Sequence, residues 1–299
     1  MGASEVHEDE GEGGAAARAA RPGWESAPFA ANPARLVLSY LADWLGLAAL
    51  GAGVLCLNTL VPDHERFFTP GEPAFSYPYH PDTVSSAADV AIAAGVPLAA
   101  CAVCNVILAC SPARARWSVV LDVHHTLLGL ITSLALATAV TEFLKHFVGR
   151  IRPNGFARLA LNDSKWNQSY CSGHTSTAFS GLVFAAFYMA GKAGVFSREG
   201  LTFRRGAGDP FCGAGVLALL LVGVPVGIAV FIAATRLNDY AHDFADVNAG
   251  AMVGTAAAWW GYNAYFAGLT EPSAYLARPL ARLRDRDPAN FDLPPCPLH

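Results

Sequence analysis

Residues 213–234 read GAGVLALLLVGVPVGIAVFIAA, 22 consecutive positions without a charged side chain. A helix of about 20 apolar residues crosses about 30 Å of hydrocarbon, so this stretch predicts a membrane-spanning helix. Five more stretches of the same kind lie at 36–61, 87–110, 118–143, 175–191 and 247–267, the fourth being the shortest of the six. In lipid a helix satisfies its own backbone, and spans this long and apolar suit helices better than barrel strands. No repeat of roughly 20 to 50 residues is evident. The expected fold is an all-α integral membrane protein, a six-transmembrane-helix bundle.

Composition points the same way. Of 299 residues, 53% are hydrophobic and only 15% charged, against about 25% charged in an ordinary soluble domain. Twenty Lys+Arg against 24 Asp+Glu give a net charge of -4, which argues against a nucleic-acid partner. Seven cysteines do not make the dense framework of a small secreted domain. Residues 1–34 are acidic and then Gly/Ala-rich, with no basic segment leading into an apolar core, and are expected to form a disordered tail rather than a signal peptide. Residues 35–267 carry the spans, and 268–299 are expected to form a C-terminal tail.

Basic residues set the orientation. With a cytosolic N-terminus, 13 of the 20 Lys and Arg fall on the cytosolic side and 7 on the other. Both termini are therefore expected in the cytosol. Six of the seven outer cations are Lys145, Arg150, Arg152, Arg158, Lys165 and Arg236, the seventh being Arg66. The glycosylation sequons at Asn162 and Asn167 fall in a loop that this topology places outside, with Asn167 close to the following span.

Three segments on that outer side concentrate cations, histidines and one acid. In Lys145-His-Phe-Val-Gly-Arg-Ile-Arg152-Pro153 the two outermost cations are seven apart, on one face if the third helix continues that far. Two fixed cations on one face suit a phosphate, although a basic membrane flank is the commoner reason for such a pattern. Cys171-Ser172-Gly173-His174-Thr175 precedes the fourth span. Ser172 and Gly173 there suit a helix N-terminus whose free N–H groups bind an anion, and an ordinary serine cap is the plainer alternative. In Arg236-Leu-Asn-Asp-Tyr-Ala-His242-Asp-Phe-Ala-Asp246, His242 and Asp246 are spaced i, i+4. A carboxylate bonded to one ring nitrogen fixes the tautomer and frees the other as base or nucleophile.

Taken together and in this order, Lys-x6-Arg-Pro, Ser-Gly-His and Arg-x5-His-x3-Asp resemble the three-part signature of the type 2 phosphatidic acid phosphatase superfamily. Ser76-Tyr77-Pro78-Tyr79 and Thr83-Val84 are similar to its lipid phosphate phosphatase branch. The resemblance covers roughly residues 36–267. It implies six spans around a phosphatidic acid phosphatase/haloperoxidase-like core, with the active site facing outside or the lumen. It implies further that His242 forms a phosphohistidine, that Asp246 orients it, and that His174 protonates the leaving alkoxide and then activates water. Lys145, Arg152, Arg236, Ser172 and the Gly173 amide would hold the phosphoryl oxygens. No metal or other cofactor is expected, because three cations take the role of Mg²⁺ and no outward cluster of carboxylates is evident.

The expected reaction is hydrolysis of the phosphomonoester of phosphatidate or a related membrane lipid. A lipid phosphotransferase, a polyprenyl or diacylglycerol pyrophosphate phosphatase, and a non-catalytic lipid binder or transporter are the alternatives. The sequence departs from the signature at Cys171, where the family has Pro, and at Thr235, where it has Ser. Cys171 implies a looser Ser172 loop and a thiol near the site; Thr235 keeps a hydroxyl for a phosphate oxygen.

Several other features invite plainer readings. Cys101 and Cys104 lie in an apolar span and suit helix packing. Asp122, His124 and His125 open the third span on the cytosolic side and suit helix contacts, while Asp43 in the first span calls for a partner or a proton. Glu142, one turn before Lys145, is placed to pair with it. Phe67, Phe68, Phe75, Tyr77 and Tyr79 form an aromatic outer loop suited either to interfacial anchoring or to an acyl-chain rim.

Overall fold

The structure is a computed structural model and describes residues 38, 40–109, 116–197, 214–271 and 273–280. Residues 1–34, most of the C-terminal segment, and Arg35, Arg114, Arg198, Arg204 and Arg205 of the charge argument lie outside the described residues. Within them the chain is all helical, apart from one isolated bridge between Phe266 and Ala277. Six long helices are present: α1 Leu41–Leu60, α2 Ser86–Ala109, α3 Arg116–Val148, α5 Gly173–Ala193, α6 Ala214–Asn238 and α7 Phe244–Tyr265. A short α4, Gly155–Ala160, lies between α3 and α5.

Four of the helices are long and apolar enough to cross a membrane: α1, Ser86–Val106 of α2, Val119–Val148 of α3 and Val216–Asn238 of α6. The two that fall short of that measure, α5 and α7, pack more extensively against each other than any other helix pair. Two thirds of α5 is buried, including Thr175, Ser176, Ser180, Gly181 and Gly191. Helices meeting inside a bundle need small side chains rather than oily ones. A Cβ on Gly254 of α7 would lie 2.5 Å from the Ser176 carbonyl oxygen, and one on Gly261 would lie 2.4 Å from that of Gly129. Low hydropathy in α5 and α7 thus records close packing at the centre of the bundle.

The peripheral helices are built the opposite way. α1 has no buried residue and lies against α3. α6 exposes Leu217, Leu220, Leu221 and Phe231, a face suited to lipid. The main core cluster sits toward one end of the bundle, where Leu128, Phe184, Tyr188, Tyr262 and Phe266 meet Leu276, Ala277 and Leu280. Residues 274–280 therefore pack onto the bundle beyond the last predicted span. A smaller cluster of Ala178, Leu182, Ala229 and Ile232 joins α5 to α6.

Buried polar groups pin that same end. Asp122 accepts hydrogen bonds from Asn105 Nδ2 at 2.8 Å and Tyr188 Oη at 2.6 Å, and pairs with Lys192. Lys192 also donates to the Tyr275 carbonyl at 2.9 Å. His125 links to Tyr40 Oη at 2.8 Å. The helix-contact reading of Asp122 and His125 describes what is seen. Cys101 is buried beside Thr126, also a helix contact. Asp43 is exposed on α1 and interacts with the Tyr265 hydroxyl.

Candidate active site

At the other end of the bundle, the α1–α2 loop, the α3–α5 connection and the α6–α7 turn come together. The Thr83 amide and hydroxyl donate to Asp239 at 2.9 and 2.6 Å. The Tyr77 amide donates to the Pro153 carbonyl at 3.1 Å, and Tyr77 stacks on Tyr240. The aromatic loop therefore packs in part onto the site: Phe68 and Phe75 contact Phe156, whereas Phe67 is 93% exposed.

Lys145 lies in the last turn of α3, and Arg152 does not share its helix. The expectation of one helical face fails at Gly149, whose φ of +58° takes the chain out of the helix. A Cβ there would come within 1.8 Å of the His64 carbonyl oxygen. Lys145 Nζ bonds Glu142 at 2.6 Å, as its spacing suggested, and also packs on Gly173, 3.1 Å from where a Cβ would stand. Arg152 is 8% exposed and anchored to the carbonyls of Lys165, Gln168 and Ala241 at 2.8, 3.2 and 3.2 Å. Its Nη1 reaches His242 Nε2 at 3.3 Å. Burial, then the nearby Arg158, lowers the Arg152 pKa to about 10, so the guanidinium stays charged at neutral pH.

Ser172 is the N-cap of α5, its Oγ accepting from the Thr175 amide at 3.4 Å and the Thr175 hydroxyl at 3.0 Å. That oxygen is fully buried, and the open end of α5 offers the amides of Gly173 and His174 instead. The Ser172 amide donates to the Asp246 carbonyl at 3.0 Å, which ties the loop to α7. His174 Nε2 is buried and finds no hydrogen-bond partner among the described residues. Burial, followed by Arg236, lowers the His174 pKa to about 4, and Arg152 acts in the same sense.

Arg236 closes α6 at 1% exposure. Its Nη1 donates to Asp82 at 2.9 Å and its Nη2 pairs with Asp239. Thr235 Oγ1 donates to the Ile232 carbonyl at 2.7 Å and accepts from Arg236 Nε at 3.4 Å, so this hydroxyl serves the arginine where a phosphate contact was expected. Cys171 is fully buried with its thiol 3.7 Å from Thr141 Oγ1, and burial pushes the thiol pKa up. The thiol expected near the site is packed inside the protein, where burial disfavours its reactive thiolate.

His242 lies just before α7, 4% exposed. Its Nδ1 donates to the Ser169 carbonyl at 2.8 Å, and Asp246 Oδ2 lies 3.9 Å from the same nitrogen. The direct bond expected from Asp246 goes to a backbone carbonyl instead, because His242 precedes the helix and does not share its face with Asp246. The tautomer is fixed all the same, leaving the Nε2 lone pair toward Arg152. Burial, then the charge of Arg152, keeps the imidazole neutral. Asp246 is fully buried; burial favours its neutral form, and the nearby His242 ring, with bonds from Ser169 and the Asp243 amide, outweighs this and holds it ionised.

Four groups at the site were missed in the sequence. Arg150 donates to Asp246 Oδ1 at 2.9 Å and Asp243 Oδ2 at 2.7 Å, and Ser169 Oγ donates to Asp246 Oδ2 at 2.5 Å. Asp82 and Asp239 flank Arg236. The extra cation inside the 145–152 segment was the visible clue to Arg150; the acids left none. Among the described residues no group of three His, Cys, Asp or Glu side chains is arranged to hold a metal ion. Of the two sequons, Asn162 is exposed and Asn167 is buried.

An unprotonated His242 nitrogen beside buried Arg152, with the neutral His174 close to Arg152 and Arg236 at the same end of the helical bundle, is a set of groups suited to phosphoryl transfer. The PAP2 superfamily profile matches residues 126–268, the stretch that carries all of these groups but the Asp82 loop. A probable lipid phosphate phosphatase 4 of Arabidopsis thaliana is 30% identical over 296 residues, covering 87% of this chain and 89% of that protein. Lipid phosphate phosphatase 2 of the same plant is 29% identical, covering 79% and 80%. Diacylglycerol pyrophosphate phosphatase 1 of Saccharomyces cerevisiae is 27% identical, covering 52% and 57%. No solved structure matches significantly. The chain belongs to the PAP2 superfamily, in its lipid phosphate phosphatase branch.

Proposed function

We propose that the protein hydrolyses the phosphomonoester of phosphatidate or a related lipid phosphate through a phosphohistidine, without a metal ion. The carrying observation is His242, whose Nδ1 donates to the Ser169 carbonyl and whose unprotonated Nε2 meets Arg152 Nη1 at 3.3 Å. In the first step Nε2 attacks phosphorus, the bond from phosphorus to the lipid oxygen breaks, and His174 gives its proton to the departing alkoxide. Water then attacks the phosphohistidine, with His174 taking the proton, and inorganic phosphate leaves. Lys145, Arg152, Arg236 and the Gly173 amide hold the phosphoryl oxygens, and a bound dianion offsets the cations that depress the His174 pKa. Asp246 and Ser169 orient His242.

Six spans are the topology that fits this site, with α5 and α7 crossing inside the bundle. Both termini then lie in the cytosol and the site faces outside or the lumen, in keeping with the distribution of basic residues and the exposed Asn162. A lipid headgroup reaches such a site from its own leaflet. A pyrophosphate lipid is a second reading, favoured by the yeast relative's name.

Phosphate release from phosphatidate in detergent micelles with excess EDTA tests the proposal. Wild type is expected to retain activity and His242→Ala to lose it. Equal release by both proteins contradicts the mechanism, and release from diacylglycerol pyrophosphate alone replaces the substrate.

A further inference from the structure

Arg150 lies two residues before the phosphate-site Arg152, yet it faces the other way. Arg152 reaches His242 Nε2, the attacking nitrogen, whereas Arg150 spends both terminal nitrogens on the carboxylates of Asp246 and Asp243. Its outer side lines a cavity of about 600 Å³ with Arg66, Phe67, Phe75 and Tyr170, and neither histidine of the site lines that cavity. Arg150 is therefore placed behind the acid rather than in front of the nucleophile.

Its main chain serves the same end. The Arg150 carbonyl accepts the Ser169 amide at 2.9 Å, and the Ser169 carbonyl accepts His242 Nδ1. Ser169 Oγ and the Asp243 amide hold Asp246 Oδ2, and Arg150 holds Oδ1. One residue thus fixes both groups that face Nδ1: the carbonyl by backbone pairing and the carboxylate by charge. A forked guanidinium spans two carboxylates in a fixed plane, which a lysine ammonium does not do.

We propose that Arg150 is a positioning residue of the reaction, clamping Asp246 and Ser169 so that His242 keeps its Nδ1 proton and aims Nε2 at phosphorus. This assignment rests on the proposed phosphohistidine mechanism. It predicts loss of turnover without loss of phosphate binding, because the clamp touches no phosphoryl oxygen.

The test is steady-state hydrolysis of phosphatidate by Arg150→Gln, Arg150→Lys and Arg152→Gln, with orthovanadate inhibition as the measure of phosphate-site affinity. Arg150→Gln should lower kcat about 10- to 100-fold, the size typical when the hydrogen-bond partner behind a metal-bound histidine is removed. Its KM and vanadate inhibition should stay as in wild type, and Arg152→Gln should weaken both. Arg150→Lys keeps the charge and shortens the fork, so it should recover only part of kcat and remain useful if the glutamine variant melts early in detergent. Wild-type kcat in Arg150→Gln overturns the assignment, as does a loss of vanadate affinity matching that of Arg152→Gln. Turnover by wild type and none by His242→Ala keeps the histidine mechanism whatever Arg150 does. No release by wild type removes that mechanism and the clamp with it.

Discussion

In the proposed mechanism His174 and His242 carry opposite requirements, since one must hold a proton and the other must not. Burial, Arg236 and Arg152 lower the His174 pKa to about 4, so lower pH fills its acid form. His242 is buried beside Arg152 and stays neutral over the same range. As a result, kcat/KM for phosphatidate should rise from about pH 7 to about pH 5. A pH–rate profile that is flat or rises with pH would contradict His174 as the acid. Cys171 is buried with a raised thiol pKa, so N-ethylmaleimide should leave activity intact in the folded enzyme; inactivation traced to Cys171 would show an open thiol. At this scale the sequence made legible the two histidines, Lys145, Arg152, Arg236 and Asp246 as residues of one end of the bundle, because fixed spacings carry them. Arg150 with Asp246, and Arg236 with Asp82, join segments far apart in the chain, and such pairs leave no periodic trace.

Among the elements, Gly149 sets how Lys145 of α3 and Arg152 beyond its end reach the site. Its left-handed φ turns the chain out of the helix between Lys145 and Arg152. Gly149→Ala should cost more than about 1 kcal/mol, since the backbone is strained and the methyl group meets the His64 carbonyl. Deeper in the bundle, Gly254→Leu would drive a side chain into α5 and should destabilise by about 1–3 kcal/mol or more. Thermal unfolding in detergent checks both, and a wild-type melting temperature would contradict the packing described. All six long helices were legible in the sequence as apolar runs. The end of α3 was not, because the spacing from Lys145 to Arg152 looks helical while one glycine breaks it. The displaced contact between His242 and Asp246 has a similar origin, in that α7 begins two residues after His242.

Over the whole molecule, function and stability are held at opposite ends. The Asp122–Lys192 pair, with Asn105 and Tyr188, pins the end away from the site. Asp122→Ala removes the carboxylate that pairs with the buried Lys192 and should cost about 3–5 kcal/mol, while the protein that stays folded keeps its kcat. Thermal melting and specific activity separate the two effects, and an unchanged melting temperature would contradict the pin. Topology is checked on the same scale: a glycosidase-sensitive gel shift should disappear in Asn162→Gln and persist in Asn167→Gln. Modification of an added N-terminal sequon instead would invert the orientation.

The covalent phosphohistidine proposed at His242 is most directly tested by trapping it. Protein mixed with phosphatidate labelled at the phosphate with ³²P and then denatured rapidly should carry acid-labile, alkali-stable label. That label should vanish in His242→Ala and accumulate in His174→Ala if the second step needs His174 as base. Label that persists in His242→Ala, or turnover by wild type with no phosphoenzyme at any quench time, would contradict the mechanism.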